Sequence, residues 1–266
     1  MRAINNILSS FEPISLNQMD EVKLMNRTDT KFVFEYSLLN KVMEEIKAHY
    51  YALDINGIRL NAYRCLYFDT EDFKFYFEHH NGKKNRNKVR YREYIDSGLC
   101  FLEIKKKNNK GKTIKERIKV AKIPDSMTEE GNRFVHQTMG RDDALVPKHW
   151  NKFSRITLVN KHIKERLTID LGITFEAEEK QSQLDNMVIA EVKQERMSRS
   201  SDFIKIAKEL HILPIRISKY CMSTLELNPN LKQNRFKEKK IFKKEVISKP
   251  VVIEEVLISS SFMCHV

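Results

Sequence analysis

Long stretches of the chain alternate between charged and apolar residues, which is the pattern of a β-strand with one polar and one buried face. In one stretch, Lys88, Arg90 and Arg92 share one face, whereas Val89 and Tyr91 share the other. The same alternation recurs in residues 100–107, 112–120, 155–158, 166–170 and 191–195. These segments predict strands whose polar faces are mostly basic.

Turn-forming residues between these segments predict hairpins. Residues 96–98 and 108–111 contain Asp, Ser, Asn and Gly, which suit the tight connections between antiparallel strands. Upstream, the aromatic-rich segments 63–69 and 73–79 also predict strands. Together they indicate an antiparallel meander that ends near residue 120. Strands are predicted again at residues 153–159, 165–170, 173–176 and 188–194.

Helical periodicity marks other parts of the chain. Apolar residues recur at helical spacing in residues 35–50, 200–211 and 218–227, which predicts amphipathic helices. Residues 121–152 contain two prolines and show weak periodicity. They predict a long connection with one helix near residues 132–139.

The number of strands bears on the architecture, because a long meander can close into a barrel and so remove its exposed edges. We predict an α+β fold in which a closed antiparallel β-barrel has a basic, phosphate-binding lumen and helices packed outside. The alternative is an open sheet with its apolar face on helices and its charged face in water. Alternation alone does not separate the two, but the repetition of Arg and Lys on successive strands favours the lumen.

Composition points to an anionic partner. The chain has 48 Lys and Arg residues against 36 Asp and Glu, a net charge of +12 and a pI of about 9.4. Such a balance suits a nucleotide, polyphosphate, nucleic acid or acidic membrane. Basic residues are dense after Pro229, so we expect one domain over residues 1–230 and a basic C-terminal tail over residues 231–266. The four scattered cysteines indicate a reduced, cytoplasmic setting, and no stretch reaches the ~20 apolar residues of a membrane span.

Short motifs follow one another in a specific order. They are Arg27-Thr-Asp-Thr-Lys31-Phe, Leu66-Tyr-Phe-Asp-Thr70, Lys88-Val-Arg90-Tyr-Arg92-Glu-Tyr94, Phe101-Leu-Glu103-Ile-Lys105, Lys115-Glu-Arg117, Arg155-Ile-Thr, Glu165-Arg166-Leu-Thr-Ile-Asp170, Glu191-Val-Lys193 and Ser218-Lys219-Tyr220. This succession resembles the catalytic domain of the VTC (vacuolar transporter chaperone) polyphosphate polymerases, within the triphosphate tunnel, or CYTH-like, superfamily. The resemblance implies a basic tunnel, ATP and inorganic polyphosphate as substrates, and Mn²⁺ or Mg²⁺ as the cofactor.

The resemblance and the basic strand faces together give the candidate site residues. Those expected to act in catalysis are Arg90, Arg92, Lys105, Arg155, Arg166 and Lys219. Those expected to bind phosphate are Lys31, Lys88, Lys115, Arg117, Lys193 and Ser218. Those expected to bind the metal are Glu191 and Glu103.

Each residue type suits its expected role. Arginines are permanently charged forks that bind phosphate with two hydrogen bonds, and lysines add positive charge along the path. Crowding and burial should lower the pKa of some lysines until a polyanion enters. Glu191 is the first metal candidate, because a hard divalent ion takes oxygen ligands and shares its shell with phosphate and water. Glu103 is either a second ligand or a group that holds Lys and Arg side chains in place.

One departure from the superfamily bears on the reaction. Many tunnel enzymes outside the VTC group carry Glu-x-Glu-x-Lys on the first strand, whereas this chain has Thr28-Asp29-Thr30-Lys31. Two metal-binding carboxylates are therefore absent, which argues against a two-metal hydrolase. It favours a polymerase that transfers the γ-phosphoryl group of ATP onto a growing polyphosphate chain. The alternatives are a metal-dependent triphosphatase for tripolyphosphate, nucleoside triphosphate or RNA 5′-triphosphate, and a non-catalytic polyphosphate-binding module. We expect no specific nucleic acid partner. The family analogy leaves room for a separate membrane partner, and the sequence does not indicate an oligomeric state.

Overall fold

The computed structural model describes residues 2–21, 27–110 and 113–236. Its strands are β1 (Pro13–Ile14), β2 (Thr28–Glu35), β3 (Tyr50–Leu53), β4 (Leu60–Asp69), β5 (Arg86–Tyr94), β6 (Leu99–Lys107), β7 (Thr113–Val120), β8 (Val146–Asn160), β9 (Glu165–Ala177), β10 (Lys180–Leu184) and β11 (Met187–Gln194). Its α-helices are α1 (Arg2–Ser9), α2 (Leu16–Glu21), α3 (Leu39–Ile46), α4 (Lys74–His80), α5 (Glu129–Met139), α6 (Asp202–Glu209) and α7 (Lys219–Leu227). Short 3₁₀ helices lie at Tyr36–Leu38, Lys47–His49, Ile95–Ser97 and Asn234–Phe236.

Eight strands follow one another in a single antiparallel path, in the order β2-β11-β9-β8-β4-β5-β6-β7. β3 pairs with β8, β1 runs parallel to β3, and β10 pairs with β9. Residues directly opposite each other in a ladder point to the same side of the sheet, so the register assigns each side chain to one of two faces. We call the face that carries Lys88, Arg90 and Arg92 the inner face, and the opposite one the outer face.

Helices cover the outer face in two places. α1, α3 and α6 pack there against β2, β8, β9 and β11, and they bury Leu39 and Phe203 with Phe32 of β2. α5 covers β5 and β6, where Val135 joins the same cluster as Val89. Burying each such side chain contributes about 1.5–3 kcal/mol to the free energy of unfolding. The apolar half of each alternating strand therefore supplies the core, as the sequence pattern predicts.

One helix lies on the inner face, so the prediction that the helices pack outside is wrong for α7. α7 buries Tyr220 and Leu225 in a cluster with Tyr63, Phe153 and Phe175 of β4, β8 and β9. This half of the inner face is apolar, so its burial under α7 removes apolar surface from water and stabilises the fold. The charged half lies beside the N-terminus of α7.

The sheet does not close into the predicted barrel by backbone pairing. Within the ranges that the structure describes, β2 and β7 end the path and no ladder joins them. The segment before α7 takes the free edge of β2 instead, where the N–H of Ile215 donates to the carbonyl oxygen of Lys31 at 2.8 Å. Because that part of the edge is already bonded, β7 approaches β2 through side chains. The ammonium of Lys115 lies 3.6 Å from the carboxylate of Asp29.

The second of the two aromatic-rich segments forms α4, so the prediction of a strand there is wrong. The carboxylate of Asp69, at the end of β4, accepts hydrogen bonds from the N–H groups of Phe75 and Tyr76 at 2.8 and 3.0 Å. The hydroxyl of Thr70 accepts one from the N–H of Lys74 at 2.9 Å. These side chains satisfy the first-turn donors of a helix, which alternation of aromatic residues does not reveal.

Most other elements agree with the sequence. β5, β6 and β7 match the predicted strands to within about two residues of each end. The long connection contains α5 and the start of β8, which begins earlier than predicted, at Val146. The predicted strands at residues 165–170 and 173–176 both belong to β9, and Gly172 adopts a φ of +59° inside it. β1, β3 and β10 lie in segments for which no strand is predicted, and β2 is expected only from the resemblance.

The basic tail lies outside the described residues from residue 237 onward. In the described ranges, no helix has both the length and the apolar character that crossing a membrane requires.

Candidate functional site

The register of the sheet gathers the predicted residues on the inner face. Lys88, Lys105 and Lys115 lie directly opposite one another on β5, β6 and β7. Neighbouring strands are about 4.8 Å apart, so three ammonium groups share a small area. The register places on the same face Lys31, Arg90, Arg92, Glu103, Arg117, Arg155, Arg166, Glu191 and Lys193.

α7 brings Ser218 and Lys219 to the same place. Ser218 is the N-cap of α7, and its hydroxyl accepts a hydrogen bond from the ammonium of Lys88 at 2.7 Å. The ammonium of Lys219 donates to the carboxylate of Asp170 and lies 4.0 Å from the centre of the Phe153 ring. A helix N-terminus carries partial positive charge, so this end of α7 adds to the attraction for an anion.

A buried carboxylate organises the cations near α7. Asp170 accepts two hydrogen bonds from the guanidinium of Arg155, at 2.5 Å from Nε and 2.7 Å from Nη2. Burial alone would raise the pKa of Asp170, but Arg155 and Lys219 outweigh it and lower that pKa to about 2. The group is therefore a permanent anion that fixes two cations.

Glu103 holds two arginines. Its Oε2 accepts hydrogen bonds from Nε and Nη2 of Arg90 at 2.8 and 2.7 Å, and it lies 3.5 Å from Nη2 of Arg92. The third donor nitrogen of Arg90 binds the hydroxyl of Tyr67 at 2.8 Å. Of the two roles expected for Glu103, metal ligand or anchor for basic side chains, these contacts are those of an anchor.

Both oxygens of Glu191 are bonded to lysines. Oε1 lies 2.6 Å from the ammonium of Lys31, and Oε2 lies 3.0 Å from that of Lys193. Lys193 also donates to the hydroxyl of Thr168 at 2.6 Å. Burial would raise the pKa of Glu191, but the two lysines hold it well below its usual value. The carboxylate is thus ionised and shared between two cations.

Several lysines have lowered pKa values, as the sequence predicts. Burial, followed by repulsion from Lys115 and Lys88, lowers the pKa of Lys105 to about 7. Burial also lowers the pKa of Lys88 and of Lys193 to about 8. It lowers the pKa of Lys219 against the attraction of its carboxylate partner. A polyanion that approached these groups would favour their charged form.

The remaining predicted residues lie at the margins of the face. The guanidinium of Arg117, on exposed β7, lies 4.5 Å from the centre of the Phe101 ring. Arg166 is half-buried on β9, directly opposite Lys193 on β11. All the predicted side chains therefore lie on the inner face or at the start of α7, and their chemical roles stay predictions.

A cavity of about 1620 Å³ runs along the charged part of this face. Residues of β2, β5, β6, β7 and α7 line it, and among the predicted site residues these include Lys31, Lys88, Lys105, Lys115 and Ser218. Its volume exceeds the roughly 300–1,000 Å³ that is usual for small-molecule pockets. The lining does not include Arg90 or Arg155, whose guanidinium groups are held by carboxylates beside it.

The described residues do not offer a preformed site for a divalent cation. In the ranges given above, no group of three or more His, Cys, Asp or Glu side chains is arranged to hold a metal. Glu191 contacts two ammonium groups, and Glu103 contacts two guanidinium groups. Mg²⁺ or Mn²⁺ needs free carboxylate or phosphate oxygens, so neither carboxylate fits it in this arrangement. Metal binding by Glu191 and Glu103 stays a prediction from the resemblance.

Three residues that hold the site are absent from the predicted set. Asp170 anchors two cations, Tyr67 binds a guanidinium, and the ring of Phe153 lies under an ammonium. The signal for Asp170 was the alternation itself, because this residue shares a strand face with Arg166. Tyr67 lies directly opposite Arg90 on the neighbouring strand, and Phe153 lies under Lys219 of α7. Both contacts join segments that are apart in the chain, so alternation within one segment does not reveal them.

Comparison with protein families gives the class of this chain. The VTC domain matches residues 26–228, more than half of the chain, so the protein belongs to the VTC domain family. The resemblance drawn from the ordered motifs is thereby confirmed. No curated protein matches the chain.

Solved structures with a similar course of the chain are distant in sequence. A candidate adenylate cyclase from Bacillus halodurans is 13% identical with a TM-score of 0.48, over 74% of this chain and 98% of that one. HpAC1 from Hippeastrum, described as having a dominant triphosphatase activity, is 15% identical with a TM-score of 0.47, over 77% and 98%. A candidate adenylate cyclase from Vibrio parahaemolyticus is 10% identical with a TM-score of 0.45, over 74% and 97%. Sequence identities and TM-scores this low do not support an inference about function.

Proposed function

We propose that the protein is a polyphosphate polymerase, which transfers the γ-phosphoryl group of ATP onto a growing chain of inorganic polyphosphate. The observation that carries the proposal is the row of Lys88, Lys105 and Lys115 along a cavity of about 1620 Å³. A row of cations at strand spacing suits a linear polyanion better than a compact ligand. Membership of the VTC domain family supports the same substrate class.

The residues of this chain would act mainly by position and charge. Phosphoryl transfer needs alignment and neutralisation of the phosphate oxygens more than a covalent nucleophile. The arginines Arg90, Arg92 and Arg155 are already oriented by Glu103 and Asp170, so little reorganisation is needed when charge develops on the transferred group.

The lysines would respond to the substrate by gaining protons. Lys105 has a pKa of about 7 in the ligand-free protein, so part of its population is neutral at that pH. An incoming phosphate would attract a proton to it and remove the repulsion between neighbouring lysines. Lys219 and Ser218 would hold the phosphates at the start of α7, where backbone N–H groups also face the ligand.

A divalent ion, if bound, would supply further neutralisation of the phosphate oxygens. The proposed steps use lysines, arginines and the start of α7 but no carboxylate, because the carboxylates are engaged by cations. A cytoplasmic location and a separate membrane partner for the product belong to the proposal. The thiols of Cys65, Cys100 and Cys221 form no disulfide, which is consistent with a reducing compartment.

The test is a time course with ATP and Mn²⁺ or Mg²⁺, in which polyphosphate is separated on a gel and free phosphate is assayed in parallel. A ladder of long chains with matching ADP would establish the polymerase. Free phosphate without chains would replace it by the triphosphatase. Tight binding of tripolyphosphate without any product would favour the binding module.

A matched pair of variants ties the result to the inner face. Arg90→Ala removes a guanidinium of that face and should reduce both binding and turnover with little loss of fold. Arg64→Ala removes an arginine of the neighbouring strand that faces outward, where it contacts Glu93 and Trp150. Equal activity of the two variants would contradict the assignment of Arg90.

A further inference from the structure

A thiol and an imidazole meet on the wall of the cavity. The Sγ atom of Cys221 lies 3.0 Å from Nδ1 of His79, and both residues line the cavity. The pair joins the first turn of α7 to the end of α4. The steps proposed above for phosphoryl transfer use neither residue.

Cys221 is 3% exposed and packs in the same hydrophobic cluster as Cys65, but its sulfur and its N–H also contact polar groups of the cavity wall. Its N–H donates to the hydroxyl of Ser218 at 3.3 Å, which places it in the first turn of α7. The same hydroxyl accepts the hydrogen bond from Lys88. Burial lowers the pKa of Lys88 while Cys221 raises it, so these two groups interact electrostatically. An imidazole, an ammonium and a helix N-terminus each favour the thiolate form of a cysteine.

Two other cysteines lack such surroundings. Burial raises the pKa of Cys65 and of Cys100 to about 11, and neither of them lines the cavity. Thiols with a raised pKa stay protonated at neutral pH and react slowly. They serve as internal controls, because they occur in the same folded chain as Cys221.

We propose that Cys221 is a reactive thiol on the cavity wall and that its reversible oxidation by a hydroperoxide blocks the phosphate path. In this step the sulfur attacks the O–O bond, an S–O bond forms, and the O–O bond breaks. The sulfur loses two electrons and the peroxide gains them. The thiol proton passes through His79 to the departing oxygen, which leaves as water when the oxidant is hydrogen peroxide.

The product would stand where phosphate is expected. Oxidation leaves a sulfenic acid beside Ser218 and Lys88, and a small thiol converts it to a mixed disulfide with release of water. A second molecule of that thiol then restores Cys221 and leaves as a small disulfide. The blocking effect rests on the phosphate binding of the proposed function and not on its turnover.

The first experiment measures reactivity alone. The folded protein is alkylated with iodoacetamide, and the rate at each cysteine is followed by mass spectrometry of its peptide, with the urea-unfolded chain as the reference. Cys221 should react at least about tenfold faster than Cys65 and Cys100. The variant His79→Gln, checked for fold by circular dichroism, should slow labelling of Cys221 about tenfold. Equal rates at the three cysteines would overturn the proposal.

The second experiment measures blocking with tripolyphosphate as the probe. Calorimetry after treatment with hydrogen peroxide should show at least about a tenfold loss of affinity, recovered with dithiothreitol. Cys100→Ser should behave as the wild type, and Cys221→Ser should be insensitive to peroxide. Oxidised Cys221 with unchanged affinity would disprove the block. An untreated protein that bound no tripolyphosphate would refute the proposed function and the block together, while the alkylation rates would still decide whether the thiol is reactive.

Discussion

The ammonium of Lys88 donates a hydrogen bond to the hydroxyl of Ser218 at 2.7 Å, and this bond joins β5 to the first turn of α7. The same hydroxyl accepts a hydrogen bond from the N–H of Cys221 and so caps the helix. One small side chain therefore starts a helix and positions a cation of the cavity wall. Helix stability and the proposed phosphate binding are linked at this point.

The variant Ser218→Ala should lose both the cap of α7 and the hydrogen bond to Lys88. Loss of an N-cap costs about 1 kcal/mol, and the ammonium of Lys88 loses its fixed position. Thr128→Ala is the matched control, because Thr128 caps α5 on the outer face through the N–H of Gly131. Both variants should be destabilised by a similar amount in urea. Only Ser218→Ala should weaken tripolyphosphate binding in calorimetry, and an equal loss in both would contradict the assignment.

Replacement of Asp170 by Asn should destabilise the fold strongly. The change leaves the buried cations of Arg155 and Lys219 without their anion, and breaking one side of a buried ion pair costs about 3–5 kcal/mol. Denaturant unfolding measures the loss. Asp142→Asn is the control, because that carboxylate is 85% exposed and should change stability by less than about 0.5 kcal/mol. A small effect at Asp170 would mean that the two cations find other partners.

Binding of tripolyphosphate should weaken as pH rises from about 7 to 9. Lys105 has a pKa of about 7, and Lys88 and Lys193 have values of about 8, so all three lose protons in this range. Calorimetry in two buffers of different ionisation enthalpy should show proton uptake on binding near pH 8. Lys105→Arg should flatten the pH profile, because arginine stays charged. A profile unchanged by this substitution would exclude Lys105 as a source of the pH dependence.

The same lysines should affect the stability of the ligand-free protein in the opposite sense. The pKa of Lys105 falls from an ordinary value of 10.5 to about 7, so the unfolded chain binds more protons between these values. Stability should therefore rise with pH across that window. Lys105→Met should stabilise the protein more at pH 6 than at pH 10, as measured by thermal unfolding. Equal stabilisation at both values would show that Lys105 is not buried as a charge.

Glu191→Gln separates binding from turnover. The carboxylate neutralises Lys31 and Lys193, so its loss should leave or increase the affinity for tripolyphosphate in a metal-free buffer. Turnover of ATP should fall, because the variant loses both the ordering of two lysines and the candidate metal ligand. Calorimetry with EDTA and the gel assay give the two readings. A variant with full turnover would exclude both roles of Glu191.

Much of the candidate site was open to prediction because strand alternation is local. Arg90 and Arg92 share a face with Lys88 whatever the rest of the chain does, since side chains on a strand alternate. The segment that begins at Phe73 shows the limit of this logic. Its aromatic residues alternate, but side chains of the preceding turn cap a helix there, and this capping depends on a three-dimensional arrangement of Asp69 and Thr70.

The faces of the strands, the positive charge of one face and the family resemblance can all be read from the amino-acid sequence. These follow from covalent geometry and composition, which need no long-range contact. Three other features became visible only in the folded chain: Lys219 meets Asp170, α7 lies on the inner face, and Ile215 occupies the edge of β2. Each of these contacts joins segments far apart in the chain. Which segments come together depends on how well distant strand edges and surfaces fit one another, and local sequence preferences do not determine that.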